Sequence, residues 1–143
     1  MELHNNAKLI RLFIYSSLTK GIIKADIITA KQAIEYFEDK GIRDIKNVAA
    51  YHLQQAAEKL IKIQIYASGS VISNNRMYTH NIERLIVYAD SLSINAIIPQ
   101  YIREHSLQIT NWEAGSRYDV GFSVRIDTLK KAYVAIEEWE KQV

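Results

Sequence analysis

The chain contains no cysteine, one proline and five glycines. Without thiols there is neither a disulfide nor a thiolate metal site, and a reducing compartment is the natural home. So few helix breakers, beside prominent Ala, Leu, Ile, Lys and Glu, favour helices over a strand-rich fold. Also missing is any apolar run approaching the ~20 residues of a membrane span. The start Met1-Glu2-Leu3-His4-Asn5-Asn6 lacks the basic residues and the apolar stretch of a secretory leader. These absences predict a soluble, cytoplasmic protein with no membrane partner. A net charge of +2 with both signs interspersed is not the basic footprint of a dedicated nucleic-acid binder, and neither demands nor forbids nucleic acid. There is no Gly-rich phosphate loop and no His-Glu-x-x-His, and the histidines would need tertiary assembly to hold a metal, so neither metal nor cofactor is expected.

What the chain does have is apolar periodicity. Its 143 residues, 48% of them hydrophobic, suffice for one domain with a core that needs no staples. A single helical domain over 1–143, with its core at about 25–141, is the expectation. The spacing of Ala7, Ile10, Ile14 and Leu18 predicts a first helix that Gly21 ends, or a short arm leading into the bundle. Ile27, Ala30, Ile34 and Phe37 predict a second, from Ala25 to Asp39, stopped by Gly41. A third and longest, from Asp44 to Ala67, gathers Ala49, Leu53, Ala56, Ala57, Leu60, Ile63 and Ala67 on one face. Thr79 is the expected N-cap of a fourth, reaching Ser91 with Ile82, Leu85, Ile86 and Ala89 inward. Pro99 suits the first turn of a fifth, carrying Ile98, Ile102, His105, Ile109 and Trp112. The stretch from Ala114 to Gly121 reads as a break. A last helix, from about Ser123, would bury Ile126, Leu129, Tyr133 and Ile136. The fold class is therefore all-α, an antiparallel up-and-down four-helix bundle with an additional N-terminal helix.

Three constellations carry possible chemistry. His52, Gln55, Lys59 and Lys62 share the polar face of the third helix, flanked by Tyr51, Gln54 and Glu58. They form either a solvated face or a place where cations, an amide and an imidazole meet phosphate or an acidic partner. Thr79-His80 is either a capping segment with an incidental histidine or an imidazole aimed into a cleft, able to exchange a proton near neutral pH. In Gly115-Ser116-Arg117-Tyr118-Asp119, a guanidinium beside a phenol and a carboxylate suits phosphate recognition, or else pins its own loop to helix carbonyls or carboxylates. His105, in an apolar stripe, reads as a satisfied core or interface histidine.

The run Ala49-Ala50-Tyr51-His52-Leu53-Gln54-Gln55-Ala56-Ala57-Glu58-Lys59-Leu60-Ile61-Lys62 resembles the signature helix of HEPN domains (higher eukaryotes and prokaryotes nucleotide-binding). Thr79-His80-Asn81-Ile82 with Leu85 is similar to that family's second block, and Arg117-Tyr118-Asp119 to its Arg-Tyr-Pro block, with Asp119 in place of proline. The resemblance implies an antiparallel bundle of four to five helices, often a homodimer with its groove at or near the interface. Nine tyrosines suit such an interface, since tyrosine brings apolar area with a polar tip. Many such domains are encoded beside, or fused to, a nucleotidyltransferase domain, and some are toxins that cleave RNA without metal. The ribonuclease branch carries Arg, four to six residues, then His. Here three residues separate Arg76 from His80, one separates Arg103 from His105, eight separate Arg43 from His52, and no histidine follows Arg117. That motif, and the tyrosine beyond it that is adenylylated in some HEPN toxins, are absent as such.

The resulting expectation is a HEPN-like domain that binds a nucleotide, a nucleic acid or a nucleotidyltransferase partner and is non-catalytic by itself. Its candidate groove comprises His52, Gln55, Glu58, Lys59, Lys62, His80, Arg117, Tyr118 and Asp119. One alternative is a toxin-type, metal-independent ribonuclease with a rearranged site, His80 as base and Arg117 stabilising the phosphorane. Another is a dimerising bundle whose polar helix face is a protein interface.

Overall fold

In the computed structural model the backbone is described from Glu2 to Val143 and the side chains from Thr19 onward. Every regular element among the described residues is a helix: α1 (Glu2–Lys40), α2 (Ile45–Ala67), α3 (Asn74–Met77), α4 (Ile82–Ser91), α5 (Gln100–Glu104), α6 (Ser106–Tyr118) and α7 (Ile126–Gln142). The Ala-Leu-Ile stripe of α2 explains the arrangement. Ala49, Leu53, Ala56, Ala57, Leu60 and Ile63 are all buried, and so are Ala50, Ile61 and Ile65 on other sides of the helix. A helix apolar on so much of its circumference must be enclosed. Accordingly α2 packs against α1, α4, α6 and α7 at once. The four-residue connection Gly41–Asp44 turns α1 back on α2, which makes that pair antiparallel. Ala30 and Ala33 of α1 are buried as well, and small residues on neighbouring helices let their axes come close.

Several boundaries differ from those expected. The first two predicted segments are one helix, because Gly21 continues α1 instead of ending it. The face assigned to Ala7, Ile10, Ile14 and Leu18 lies outside the residues whose side chains are described. Gly41, at φ +69°, does stop α1, its N–H donating to the Phe37 carbonyl at 2.8 Å. The two glycines therefore behave oppositely. A Cβ at Gly21 would meet nothing within 4 Å, so Gly21→Ala should raise the unfolding free energy by about 1 kcal/mol through helix propensity. Gly41→Ala should lower it by about 1 kcal/mol, since a Cβ is disfavoured at positive φ. Urea denaturation of the two variants checks both signs.

At the other end of α2, Ala67 is exposed; the stripe runs out one turn before the helix does. The fifth predicted segment is two helices, with His105 at φ −112° breaking α5 from α6 and Pro99 at the N-cap of α5 instead of within its first turn. His105 stacks on Tyr101 at 4.1 Å and its Nδ1–H donates to the Tyr101 carbonyl at 2.8 Å. Two clips hold the long connection from α4 to α5. Gln64 both accepts from the Ile97 N–H at 2.6 Å and donates to its carbonyl at 2.9 Å, and the Trp139 indole N–H donates to the same carbonyl at 2.6 Å. Arg103 grips Asp90 with two bonds of 2.8 and 3.0 Å, and its guanidinium holds the Asp90 carboxyl below the usual carboxylate range.

Candidate functional site

The polar edge of α2 is built around two buried carboxylates, each holding one lysine and one histidine. Asp26, on α1, accepts from His52 Nδ1–H at 2.8 Å and from Lys59 Nζ at 2.9 Å. Glu58, on α2, accepts from His80 Nδ1–H at 2.7 Å and from Lys62 Nζ at 3.1 Å. Both carboxylates are nearly sealed, Asp26 at 7% and Glu58 at 6% exposure, and such burial is tolerated because each is paired and hydrogen-bonded. Two amides join the halves. Lys59 also donates to Gln55 Oε1 at 3.2 Å, Gln55 Nε2 donates to Gln54 Oε1 at 2.7 Å, and Gln54 Nε2 reaches the His80 carbonyl at 3.0 Å and Glu58 Oε1 at 3.3 Å. No buried side-chain nitrogen or oxygen among the described residues lacks a partner.

This network fixes the segment that precedes α4. Asn81 caps that helix, its Oδ1 accepting from Arg84 N at 2.9 Å. Thr79, the expected cap, sits two residues earlier and accepts from Asn81 N at 3.0 Å. The next free N–H of α4, that of Ile82, donates to Thr110 Oγ1 of α6 at 2.9 Å, so His80 is held at the junction of α2, α4 and α6. Its ring nitrogen Nδ1 is tied to Glu58 while 63% of the side chain stays exposed. That exposed ring lies on the wall of an open cleft of 600 Å³ whose other walls carry Asn111, Glu113, Gly115, Tyr118 and Asp119.

The far wall is the end of α6, which runs through the predicted break as far as Tyr118. Gly115 is needed there for space: a Cβ would lie 2.5 Å from Phe122 Cδ2. The ring of Phe122 thus folds against the helix and brings the Asp119–Phe122 turn beside the cleft. Asp119 closes that turn by accepting from Gly121 N at 2.9 Å. Arg117 pairs with Glu113 one turn back, donates to the Glu113 carbonyl, and lies over the rings of Tyr51 at 5.4 Å and Tyr118 at 4.8 Å. Tyr51 in turn meets His52 edge-on at 5.3 Å.

Two separated blocks of sequence, at 79–82 and 117–119, therefore contribute to the walls of one cleft, and the block at 49–62 stands behind it, joined through the Glu58–His80 bond. The family model for the HEPN domain matches residues 23–141. The chain belongs to the HEPN domain family. No curated protein and no solved structure matches it at a significant level. HEPN membership supports a nucleotide-related or ribonuclease-type function at the level of the family.

Within this HEPN bundle the nine candidate residues fall into three groups. His52, Gln55, Glu58, Lys59, Lys62 and His80 share the hydrogen-bonded network; Tyr118 and Asp119 stand across the cleft from His80; Arg117 pins the end of its own helix. The lysines face inward ion pairs, with side-chain exposures of 22% for Lys59 and 16% for Lys62, so the flank of α2 is a built wall and not a solvated face. Gln54, expected only to flank that face, is fully buried within it. Sequence reasoning missed Asp26, the anchor of half the network. Its signal was a lone carboxylate between Ala25 and Ile27 on the otherwise apolar approach to the core. It also missed Glu113, four residues before Arg117 and therefore within its reach on a helix. Among the described residues no group of three or more His, Asp or Glu side chains is arranged to hold a metal ion, and no helix is long and apolar enough to cross a membrane.

Chemically, a carboxylate that accepts from Nδ1–H orients an imidazole and leaves Nε2 for a visitor. Neutral, Nε2 accepts a proton; protonated, it donates to an anion. The exposed Tyr118 ring offers a stacking face for a planar base.

Proposed function

We propose that this HEPN domain binds a nucleotide or a nucleic-acid segment in the cleft between His80 and Tyr118, without cleaving it by itself. One observation carries the reading: His80 is anchored through Nδ1 on the buried Glu58 and turned outward into a cleft whose opposite wall ends in an exposed tyrosine. The imidazole meets phosphate or a sugar hydroxyl and the phenol ring stacks on the base. Lys59 and Lys62 act through the wall they stabilise, since buried carboxylates already neutralise both. Arg117, tied to Glu113, sets the position of Tyr118.

Millimolar AMP should raise the melting temperature, because a ligand bound at 100 times its dissociation constant adds about 2.7 kcal/mol. The rise should vanish in His80→Ala and in Tyr118→Ala. An unchanged melting temperature for the unsubstituted protein refutes the reading. The Glu58–His80 pair also favours a second one, the metal-independent ribonuclease, because it presents Nε2 as a general base. Structured RNA incubated with the protein in EDTA should stay intact; cleavage that His80→Ala abolishes would establish the second reading in place of the first. A homodimer or a nucleotidyltransferase-domain partner, both in keeping with the family, would cover exposed apolar surface such as Val120, which is fully exposed.

A further inference from the structure

Asn81 belongs to two clefts. Besides the one it shares with His80, it borders a second, of 620 Å³, lined also by Asn75, Arg76, Tyr78, Glu83 and Arg84. The two differ in how their charge is used. Around the first, Lys59, Lys62 and Arg117 are each paired with a carboxylate. In the second, Arg76 and Arg84 are exposed, and the ion-paired arginines among the described residues are Arg103 and Arg117. Arg76 is steadied by lying 5.6 Å from the centroid of the Tyr88 ring. Glu83 shares the cleft, which leaves an excess of one positive charge.

Each cleft also presents one tyrosine to solvent, Tyr118 at 74% and Tyr78 at 85% exposure. At Tyr78 the exposed ring stands beside the unpaired guanidinium groups of Arg76 and Arg84, the combination by which proteins hold single strands: bases stack on the rings and phosphates meet the cations. A ligand occupying both clefts must offer at least two unstacked bases with a phosphodiester between them. A mononucleotide has only one base, and a duplex keeps its bases stacked. We infer that the chain binds a single-stranded oligonucleotide that crosses Asn81, one base on Tyr118 and another on Tyr78, with Arg76 and Arg84 on the intervening phosphates. This rests on the reading of the first cleft and extends it to a strand.

The test is fluorescence anisotropy of the full chain with a short labelled single-stranded oligonucleotide. Its 2′-O-methyl sugars rule out cleavage, and AMP titrations run in parallel. The oligonucleotide should bind more tightly than AMP. Tyr78→Ala should weaken it about tenfold through lost stacking. Arg84→Gln should lower the slope of log affinity against log salt by about 0.7, the value for one phosphate contact on a single strand. Neither variant should change AMP binding. Both positions are exposed, and unchanged melting temperatures would verify that the variants fold. If the oligonucleotide binds no tighter than AMP, binds the two variants as well as the parent, or is matched by its duplex, the strand is overturned. AMP binding lost in Tyr118→Ala would in that event leave the first cleft standing. If neither ligand binds, both readings fall.

Discussion

Glu58→Leu is expected to lower the unfolding free energy by about 3 kcal/mol, the low end of the cost of removing one partner from a buried ion pair. Three groups depend on that carboxylate: Lys62 Nζ, His80 Nδ1 and Gln54 Nε2. They do not suffer equally. Gln54 keeps its bond to the His80 carbonyl, and the mostly exposed His80 ring finds water. Lys62 carries the main cost, because most of its side chain is buried, and the length of its stem lets the ammonium reach partly toward solvent, which places the figure at the low end. Glu58→Leu/Lys62→Leu should recover at least half of the loss, since two apolar groups leave no orphaned charge. Urea denaturation of the single and double variants measures both steps. A single variant as stable as the parent would mean that the pair contributes nothing. The double variant should not recover AMP binding, because His80 has lost its anchor in either case.

That separation between stability and binding bears on what the sequence disclosed. The α2 stripe was legible because helical periodicity is a local property: each of Leu53, Ala56, Ala57 and Leu60 can be placed by counting from its neighbours. The polar side was legible only in part. His52, Gln55, Lys59 and Lys62 are on one flank as the spacing requires, yet whether that flank meets water depends on α1, and Asp26 is 26 positions from its His52 partner. The same limit hid the pairing of Glu58 with His80, set by the docking of α4 on α6 through Thr110. Gly21 and Gly115 read as stops because glycine is a poor helix former. One is merely tolerated within a long helix, while the other is required by the ring of Phe122 packed against it. Periodicity also ran through His105 unbroken, since the inward positions of α5 and α6 stay in phase across a kink that alters only the backbone.

Trp139→Ala should be the most damaging single truncation, at about 4 kcal/mol, in the range for emptying a buried Trp site. The residue is fully buried on α7, and its indole N–H fastens the Ile97 carbonyl, so both core volume and the clip on the α4–α5 connection go together. Against a typical total of about 5–15 kcal/mol, such a loss leaves little margin. Trp139→Phe separates the two contributions. It retains most of the apolar volume, and the Ile97 carbonyl still accepts from Gln64 Nε2, so the expected cost is about 2 kcal/mol for the lost hydrogen bond and residual space. Equal losses in the two variants would mean that the indole N–H, not its bulk, governs the site. Trp139 is not part of the cleft wall, which comes from α6 and the segment before α4. The Phe variant should therefore melt earlier yet bind AMP as the parent does when both are fully folded. Glu58→Leu should melt earlier and lose binding at any temperature. The contrast distinguishes a residue that keeps the bundle together from one that also aims the imidazole.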